Sequence, residues 1–171
     1  MTAALRPDCW IGALDTMARH TGASHGQLIG VGGVRDVMFN LATNFDRPAF
    51  EKFVEVGGGS PDANFRIAAS QRHIARGLYD PVLHEDHYDE VIPYLCSRQY
   101  VEWCEEIDVP FGCQTNLVID GFGVVGFATL RKRSEGRTTA TQRKVFAHAA
   151  QAARRAVRLQ ERLEGEQARF L

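Results

Sequence analysis

The segment His84-Glu85-Asp86-His87 is the one cluster in this sequence whose residue types and spacing suit metal chemistry. Two histidines three positions apart share a helix face, where they can bind a metal ion together with a carboxylate or with Cys96. The same residues also suit an ordinary helix start, because carboxylates interact favourably with the positive N-terminal end of a helix. We therefore predict neither a metal nor a cofactor at this position.

Four cysteines offer thiol chemistry, but none lies in a Cys-x-x-Cys pair, which argues against a structural zinc site. A reactive thiol needs a pKa lowered by a nearby cation or a helix N-terminus. Cys113 has no basic neighbour in the sequence, and the adjacent glutamates 105 and 106 would raise the pKa of Cys104. We predict reduced thiols that serve as small, mostly buried apolar residues. The four are Cys9, Cys96, Cys104 and Cys113.

Glycine-rich segments match phosphate-binding loops only in part. In Gly30-Val31-Gly32-Gly33 the third glycine of a dinucleotide fingerprint is missing, because Arg35 stands in its place, and a strand rather than a helix is expected next. This segment is interpreted as a hairpin turn. The segment 57–59 precedes a helix and is interpreted as a linker rather than an anion site. Since no Gly-x-Ser-x-Gly elbow occurs either, we predict that the protein is not an enzyme.

The composition is that of one ordinary globular domain of 171 residues, 44% hydrophobic and 24% charged. The sequence has no apolar run long enough to span a bilayer and no signal-peptide core, so we expect a cytoplasmic protein without a membrane partner. Residues 1–130 carry 9 Lys/Arg against 17 Asp/Glu, whereas residues 131–171 carry 11 against 4. The basic end is interpreted as a solvated helix face; the alternative is a helix beside a nucleic-acid-binding element.

Apolar periodicity predicts an α+β fold, with a central antiparallel sheet flanked by helices. One hairpin pairs residues 25–31 with 34–45; a second pairs 114–120 with 124–130 across an Asp120-Gly121 turn. In the second hairpin, Leu117 and Ile119 fall on the same face and are expected in the core. Helices are expected at 8–20 with Asp8 as N-cap, at 49–56, at 62–76 capped by Ser60, and at 84–108 with a break near 93.

The closing helix is the clearest element, because Thr139-Ala140-Thr141-Gln142 fits a capping box. Apolar residues then recur at spacings of 4, 3, 4, 3 and 4, which is a heptad pattern. We predict that this stripe pairs with its copy in a homodimer; packing on the domain's own sheet remains the alternative for its first half. The predicted interface residues are Val145, Ala149, Ala152, Ala156, Leu159 and Leu163.

This order of elements resembles the GAF/PAS-type sensor fold, and more closely the N-terminal sensor regions of LuxR-family transcriptional regulators. The resemblance covers most of the chain loosely and is strongest over residues 94–163. It is carried by the hairpin 114–130 and by four short segments, which are Ala63-Asn64-Phe65-Arg66, Tyr100-Val101-Glu102-Trp103, Val109-Pro110-Phe111-Gly112 and Arg154-Arg155-Ala156-Val157-Arg158-Leu159.

The resemblance implies a sensor body at residues 1–137 and a dimerisation and signalling helix at 138–171, packed on the same domain. In that family a helix-turn-helix module follows the sensor and binds DNA. The 171 residues do not contain such a module, so DNA binding is expected only through a module outside them.

We expect the sensor to bind an unknown small, partly apolar ligand between the sheet and the aromatic region 88–103. Gln114, Thr115 and Asn116 offer polar groups that can orient such a ligand. Two alternatives stay open: a thiol redox enzyme of the same fold, such as a free methionine sulfoxide reductase, and a structural dimerisation module without ligand. The predicted pocket residues are Phe39, Tyr88, Tyr100, Trp103, Cys113, Thr115 and Phe127.

Overall fold

A computed structural model describes residues 7–32, 35, 40–78 and 82–169 of the chain. No helix within these ranges is long and apolar enough to cross a membrane. The strands are β1 (His25–Val31), β2 (Asn40–Ala42), β3 (Gln114–Asp120) and β4 (Gly123–Leu130). The helices are α1 (Pro7–His20), α2 (Arg47–Glu55), α3 (Phe65–Ala75), α4 (Glu85–Val91), α5 (Gln99–Glu106) and α6 (Ala140–Arg169).

The predicted α+β class is confirmed, because the four strands form one antiparallel sheet in the order β2-β1-β4-β3. Two hairpins are joined through their inner strands β1 and β4. In this register Gln27 lies between Ala42 and Ala128, and Ile29 lies between Asn40 and Gly126. Helices cover both faces of the sheet, and they bury two separate apolar clusters.

The helix starts follow local capping chemistry. The predicted capping box of α6 is confirmed: the Thr139 N–H donates to Gln142 Oε1 (2.9 Å), and the Gln142 N–H donates to Thr139 Oγ1 (3.2 Å). The predicted cap of α3 is wrong, because Asn64, not Ser60, accepts from the first free N–H groups of that helix. Asp8 lies inside α1 rather than capping it.

One face of the sheet packs against α1 and α6. The α1 backbone lies so close to β1 that a Cβ on Gly26 would sit 2.5 Å from the Leu14 carbonyl oxygen, so this position requires glycine. The indole N–H of Trp10 donates to Gln160 Oε1 (2.8 Å) and ties α1 to α6. The α6 residues buried here form an inner stripe, which consists of Phe146, Ala150, Ala153 and Val157.

The opposite face of the sheet carries α2, α3, α4 and α5. These helices bury their own cluster, in which Phe53, Phe65, Tyr88, Tyr100 and Trp103 meet edge to face or tilted. Within the described residues, Leu130 is the only strand residue among the buried members of this cluster. Side chains of this cluster therefore do not fill the rest of the space between this sheet face and its helices.

Strand β3 departs from the expected alternation. Its register against β4 shifts between Asn116 and Val118, so that Leu117 and Val118 are both buried and Ile119 is exposed. The prediction that Leu117 and Ile119 share a core face is therefore wrong. The extra residue of a β-bulge moves the following side chains to the opposite face of the sheet. An alternating sequence pattern does not reveal the position of such a bulge.

Candidate functional site

A cleft with a volume of about 100 Å³, open to solvent on one side, lies between helix α3 and the sheet face that the second cluster leaves unfilled. We call it the chamber. Its floor is formed by alternate residues of β1, β4 and β3, and its roof by α3. The α3 residues that line it are Arg66, Ile67, Ser70, Gln71 and Ile74.

The chamber floor follows from strand pairing. Successive side chains of a strand point to opposite faces, so Gln27, Ile29 and Val31 share the chamber face of β1. Their partners on β4 are Ala128, Gly126 and Val124. The small residues Gly126 and Ala128 lower the floor at its centre, and no large side chain of β4 fills the space above them.

Side-chain amides stand on both sides of this low floor. On β3 the Gln114 amide donates to the Arg66 carbonyl oxygen (2.6 Å), and the Asn116 amide donates to Ser70 Oγ (2.7 Å). These bonds hold α3 on the sheet and use one end of each amide. On β1, Gln27 is only 9% exposed, and its side chain makes no hydrogen bond to any described residue.

A second cavity of only about 20 Å³ adjoins the chamber and shares Gln27 with it. Its lining is aromatic, because Phe45, Phe50 and Phe53 approach from the α2 side and Tyr100 and Trp103 from α5. The Gln27 side chain therefore stands between an aliphatic space and an aromatic one.

Arg66 closes the inner end of the chamber but turns its two terminal nitrogens away. The guanidinium is fully buried and donates to Tyr100 Oη (3.1 Å) and to the carbonyl oxygens of Val109 and Phe111 (3.2 Å each). It lies 3.6 Å from Cys104 Sγ and 4.5 Å from the centre of the Phe65 ring. No described carboxylate pairs with Arg66, and its Nε is buried without a hydrogen-bond partner among the described residues.

The buried thiols are poorly suited to nucleophilic chemistry. Burial raises the pKa of the Cys113 thiol to about 12, and burial likewise raises the pKa of Cys104 despite the nearby Arg66. Since the thiolate is the reactive form, both cysteines are held in their unreactive state near neutral pH. Cys96 is exposed and Cys9 is half-buried.

The histidine cluster does not assemble a metal site. The rings of His84 and His87 are 4.6 Å apart, and His73 adds a third ring 5.0 Å from His87. However, His87 Nδ1 already accepts the His84 N–H (3.1 Å). Within the described residues no three ligating side chains are placed to hold a metal ion.

The predicted pocket residues are distributed over several places. Tyr100 and Trp103 line the aromatic cavity, whereas Tyr88 lies in the second cluster beside Phe65. Thr115 and Phe127 border the chamber, but the Phe127 ring stacks on Phe146 (5.2 Å) at the opposite face. Cys113 is buried in the first cluster. Phe39 lies outside the described residues.

Sequence reasoning missed Gln27, Ser70, Gly126 and the inner face of α3. A usable signal existed in β1, where Gln27, Ile29 and Val31 alternate with Gly26, Leu28 and Gly30. It indicates one face that packs tightly and another that carries a polar group among apolar ones. Which face meets a cavity depends on where α3 lies, and a strand pattern does not contain that information.

The predicted dimer stripe of α6 lies beside its inner stripe, rotated by about 100° around the helix. Ala152 is exposed, Val145 and Leu159 are 40% and 36% exposed, and Ala149, Ala156 and Leu163 are half-buried. We call these six residues the outer stripe. Two of its members, Ala149 and Ala156, also pack against the edge of the first cluster.

No protein-family model matches the chain, and no curated protein matches its sequence. The function must therefore be inferred from the chamber and from α6.

Proposed function

We propose that this chain is the ligand-sensing domain of a LuxR-family transcriptional regulator of the bacterial type. In this proposal it forms a homodimer in the cytoplasm, binds a small molecule in the chamber, and controls a helix-turn-helix module outside these 171 residues. The domain itself then contacts neither DNA nor a membrane. The body at 1–137 senses the ligand, and the helix at 138–171 carries the signal.

The observation that carries this proposal is the chamber itself. Ligand sites are concave, mostly apolar spaces with a few polar groups that fix orientation, and the chamber has both properties. Its polar groups are held in place, because the Gln114 and Asn116 amides are each fixed by a hydrogen bond to α3.

A path from the chamber to α6 runs through Arg35. Val31 and Val124 line the chamber at its outer end, close in sequence to Arg35 and Gly123. Arg35 donates to both carboxylate oxygens of Asp120 (2.7 and 2.8 Å), to the Gly123 carbonyl (2.8 Å) and to Glu161 of α6 (2.8 Å). A ligand that displaces these strand ends therefore acts directly on the closing helix.

Mass spectrometry of the native protein tests the proposal. We expect a dimer that carries an additional mass, and this mass should be lost on denaturation. A dimer without added mass, from cells and after incubation with extracts, favours the structural module instead. A thiol redox enzyme would show rapid alkylation of one cysteine at neutral pH, which the raised pKa values of Cys104 and Cys113 oppose.

The dimer is tested separately with Leu159→Lys. A charged side chain in the centre of an apolar seam must be desolvated on association, so we expect this variant to be monomeric by analytical ultracentrifugation. Gln151→Lys, an exposed position of α6 outside the outer stripe, is the matched control and should remain dimeric. A dimeric Leu159→Lys variant would rule out the outer stripe as the interface.

A further inference from the structure

We infer that the chamber takes an amphipathic organic anion, an aliphatic carboxylate whose head lies at the inner end beside Arg66 and whose hydrocarbon tail runs toward the outer end. This inference rests on the proposed function and specifies its ligand class. It is drawn from an unpaired donor, from an uncompensated charge and from the order of polar and apolar groups along the chamber.

One donor of the buried Arg66 guanidinium is left without a partner. A guanidinium carries five N–H donors. Nη1 donates to Tyr100 Oη (3.1 Å) and lies 3.6 Å from Cys104 Sγ. Nη2 donates to the carbonyl oxygens of Val109 and Phe111 (3.2 Å each). Nε has no partner among the described residues, although Arg66 is only 4% exposed. Since buried polar groups are normally paired, Nε indicates a ligand atom that accepts a hydrogen bond.

Nε is also the guanidinium nitrogen closest to the chamber roof. It is bonded to the aliphatic stem of Arg66, and this stem leads back to α3, which forms the roof. Arg66 itself lines the chamber, whereas its two terminal nitrogens are engaged with α5 and with the segment 109–111. A ligand that reaches the guanidinium from the chamber therefore meets Nε first.

The charge of Arg66 favours an anion over a neutral acceptor. Arginine remains protonated in proteins, and Arg66 is the only charged side chain among the described residues that line the chamber. Burying a charge is costly unless the charge is paired, and hydrogen bonds between ionised groups are roughly twice as strong as those between neutral groups. A carboxylate satisfies both requirements, because it accepts from Nε and compensates the positive charge.

The strand register arranges the chamber floor in three rows, roughly 7 Å apart. The first row consists of Gln27, Ala128 and Gln114, the second of Ile29, Gly126 and Asn116, and the third of Val31 and Val124. Hydrogen bonds to α3 place the roof over these rows, because Gln114 donates to the Arg66 carbonyl oxygen and Asn116 donates to Ser70 Oγ.

The polar rows lie at the inner end, and the apolar row lies at the outer end. Ile74 follows Ser70 by about one helical turn and lines the chamber together with Val31 and Val124. A carboxylate beside Arg66 therefore directs an attached hydrocarbon chain toward aliphatic side chains. Each methylene that leaves water there favours binding.

Three probes test the head and the tail separately. Hexanoate has the carboxylate and the tail, hexanamide has the same tail with a neutral head, and acetate has the head without the tail. We titrate each into the full chain and follow the Arg66 Nε–H signal, assigned through its bonds to the Arg66 backbone, by ¹H–¹⁵N NMR.

Hexanoate should move the Arg66 Nε–H signal downfield and bind roughly tenfold more tightly than hexanamide, because an ionised acceptor replaces a neutral one. It should also bind at least about tenfold more tightly than acetate, because its additional methylenes leave water.

Substitution assigns the effect to the two ends of the chamber. Arg66→Gln removes the charge, so hexanoate should bind roughly tenfold more weakly and no better than hexanamide. Ile74→Ser tests the tail if Arg66→Gln folds poorly; it should weaken hexanoate roughly fivefold and leave acetate unchanged. Arg76→Gln, at the exposed C-cap of α3, is the matched control and should leave both affinities unchanged.

The outcomes distinguish this inference from the proposed function. Equal binding of hexanoate and hexanamide, equal binding of hexanoate and acetate, an unmoved Arg66 Nε–H signal, or no binding of any probe each overturns the inferred ligand class. None of these results removes a retained mass from the native dimer, so the sensor proposal is judged by that measurement alone. A native dimer that never carries ligand, combined with tight hexanoate binding at Arg66, would overturn the sensor proposal and leave the chamber chemistry standing.

Discussion

Glu85 shows how one side chain that suits metal binding is instead used to fasten the structure. It is the first residue of α4 and is only 2% exposed. Its Oε1 accepts from the Gly112 N–H (3.0 Å), the Thr138 N–H (2.8 Å) and the Thr138 hydroxyl (2.8 Å). One carboxylate oxygen thus joins α4 to the segment before β3 and to the segment before α6.

Replacing Glu85 by Ala should lower the free energy of unfolding by about 3 kcal/mol, because two buried N–H groups and a hydroxyl lose a charged acceptor. Glu106→Ala, at an exposed position of α5, is the control and should change stability by less than about 0.5 kcal/mol. Urea unfolding monitored by tryptophan fluorescence measures both. Similar values for the two variants would mean that water replaces the Glu85 carboxylate at little cost.

Arg154 explains how the exposed edge of the sheet is closed. The β-bulge in β3 turns the carbonyl groups of Asn116 and Leu117 outward, and the Arg154 guanidinium of α6 donates to both (3.3 and 2.8 Å). Free strand edges promote pairing with other chains, and bulges and charged groups prevent it. The closing helix therefore protects the edge as well as covering the core.

Arg154→Met should lower the free energy of unfolding by about 2 kcal/mol, because hydrogen bonds from a charged donor are lost while the stem of the side chain is kept. It should also increase association through the uncovered β3 edge, measured by light scattering on heating. The neighbouring exposed Arg155→Met is the matched control. Equal behaviour of the two variants would show that the β3 edge is protected by the bulge alone.

The two stripes of α6 differ in what they require of the sequence. The inner stripe needs small residues at Ala150 and Ala153, because the helix lies directly on β3 and β4. The outer stripe repeats the same small-residue pattern; its Ala149 and Ala156 pack partly against the first cluster, whereas Ala152 is exposed. The exposed part of the outer stripe is the physical basis for the proposed dimer, since a second helix can approach Ala152 closely and contact Val145 and Leu159.

At the scale of the whole molecule, protonation sets two pH ranges for stability. Burial lowers the pKa of His25 and of His84 in the folded protein. The Arg137 guanidinium lowers the pKa of Asp86, and the Arg35 guanidinium lowers that of Asp120. The two histidines therefore favour the folded state when neutral, and the two aspartates favour it when ionised.

The free energy of unfolding should fall as the pH is lowered from about 7. Below about 6.5 the unfolded chain protonates its histidines while the folded chain does not, so the unfolded state binds more protons, until the pH passes the lower folded pKa values of His25 and His84. A second loss should begin below about pH 4, where the unfolded aspartates take up protons before the folded ones.

Urea titrations between pH 8 and pH 3 measure both losses. The double variant His25→Gln/His84→Gln should flatten the first range and leave the second unchanged. His148→Gln, at an exposed position of α6, is the control for removal of a histidine. A first range that persists in the double variant would assign the effect to other groups.

The sequence by itself determined the features that depend on neighbours along the chain. The α+β class, the turn at Asp120-Gly121, the capping box of α6 and the break after α4 follow from periodicity and local hydrogen bonding, and all four are present. Residues within one turn or one hairpin interact whatever the rest of the chain does, so their pattern is sufficient.

Only the tertiary structure decided where the candidate site lies. The aromatic density around residues 88–103 predicts a pocket there, yet most of these rings fill the second cluster, and the chamber lies beneath α3. The register shift at Asn116, the unpaired amide of Gln27 and the low floor at Gly126 arise from strands and a helix distant in sequence. Their function depends on contacts between side chains that are far apart in the sequence. The order of residues along the chain does not specify such contacts.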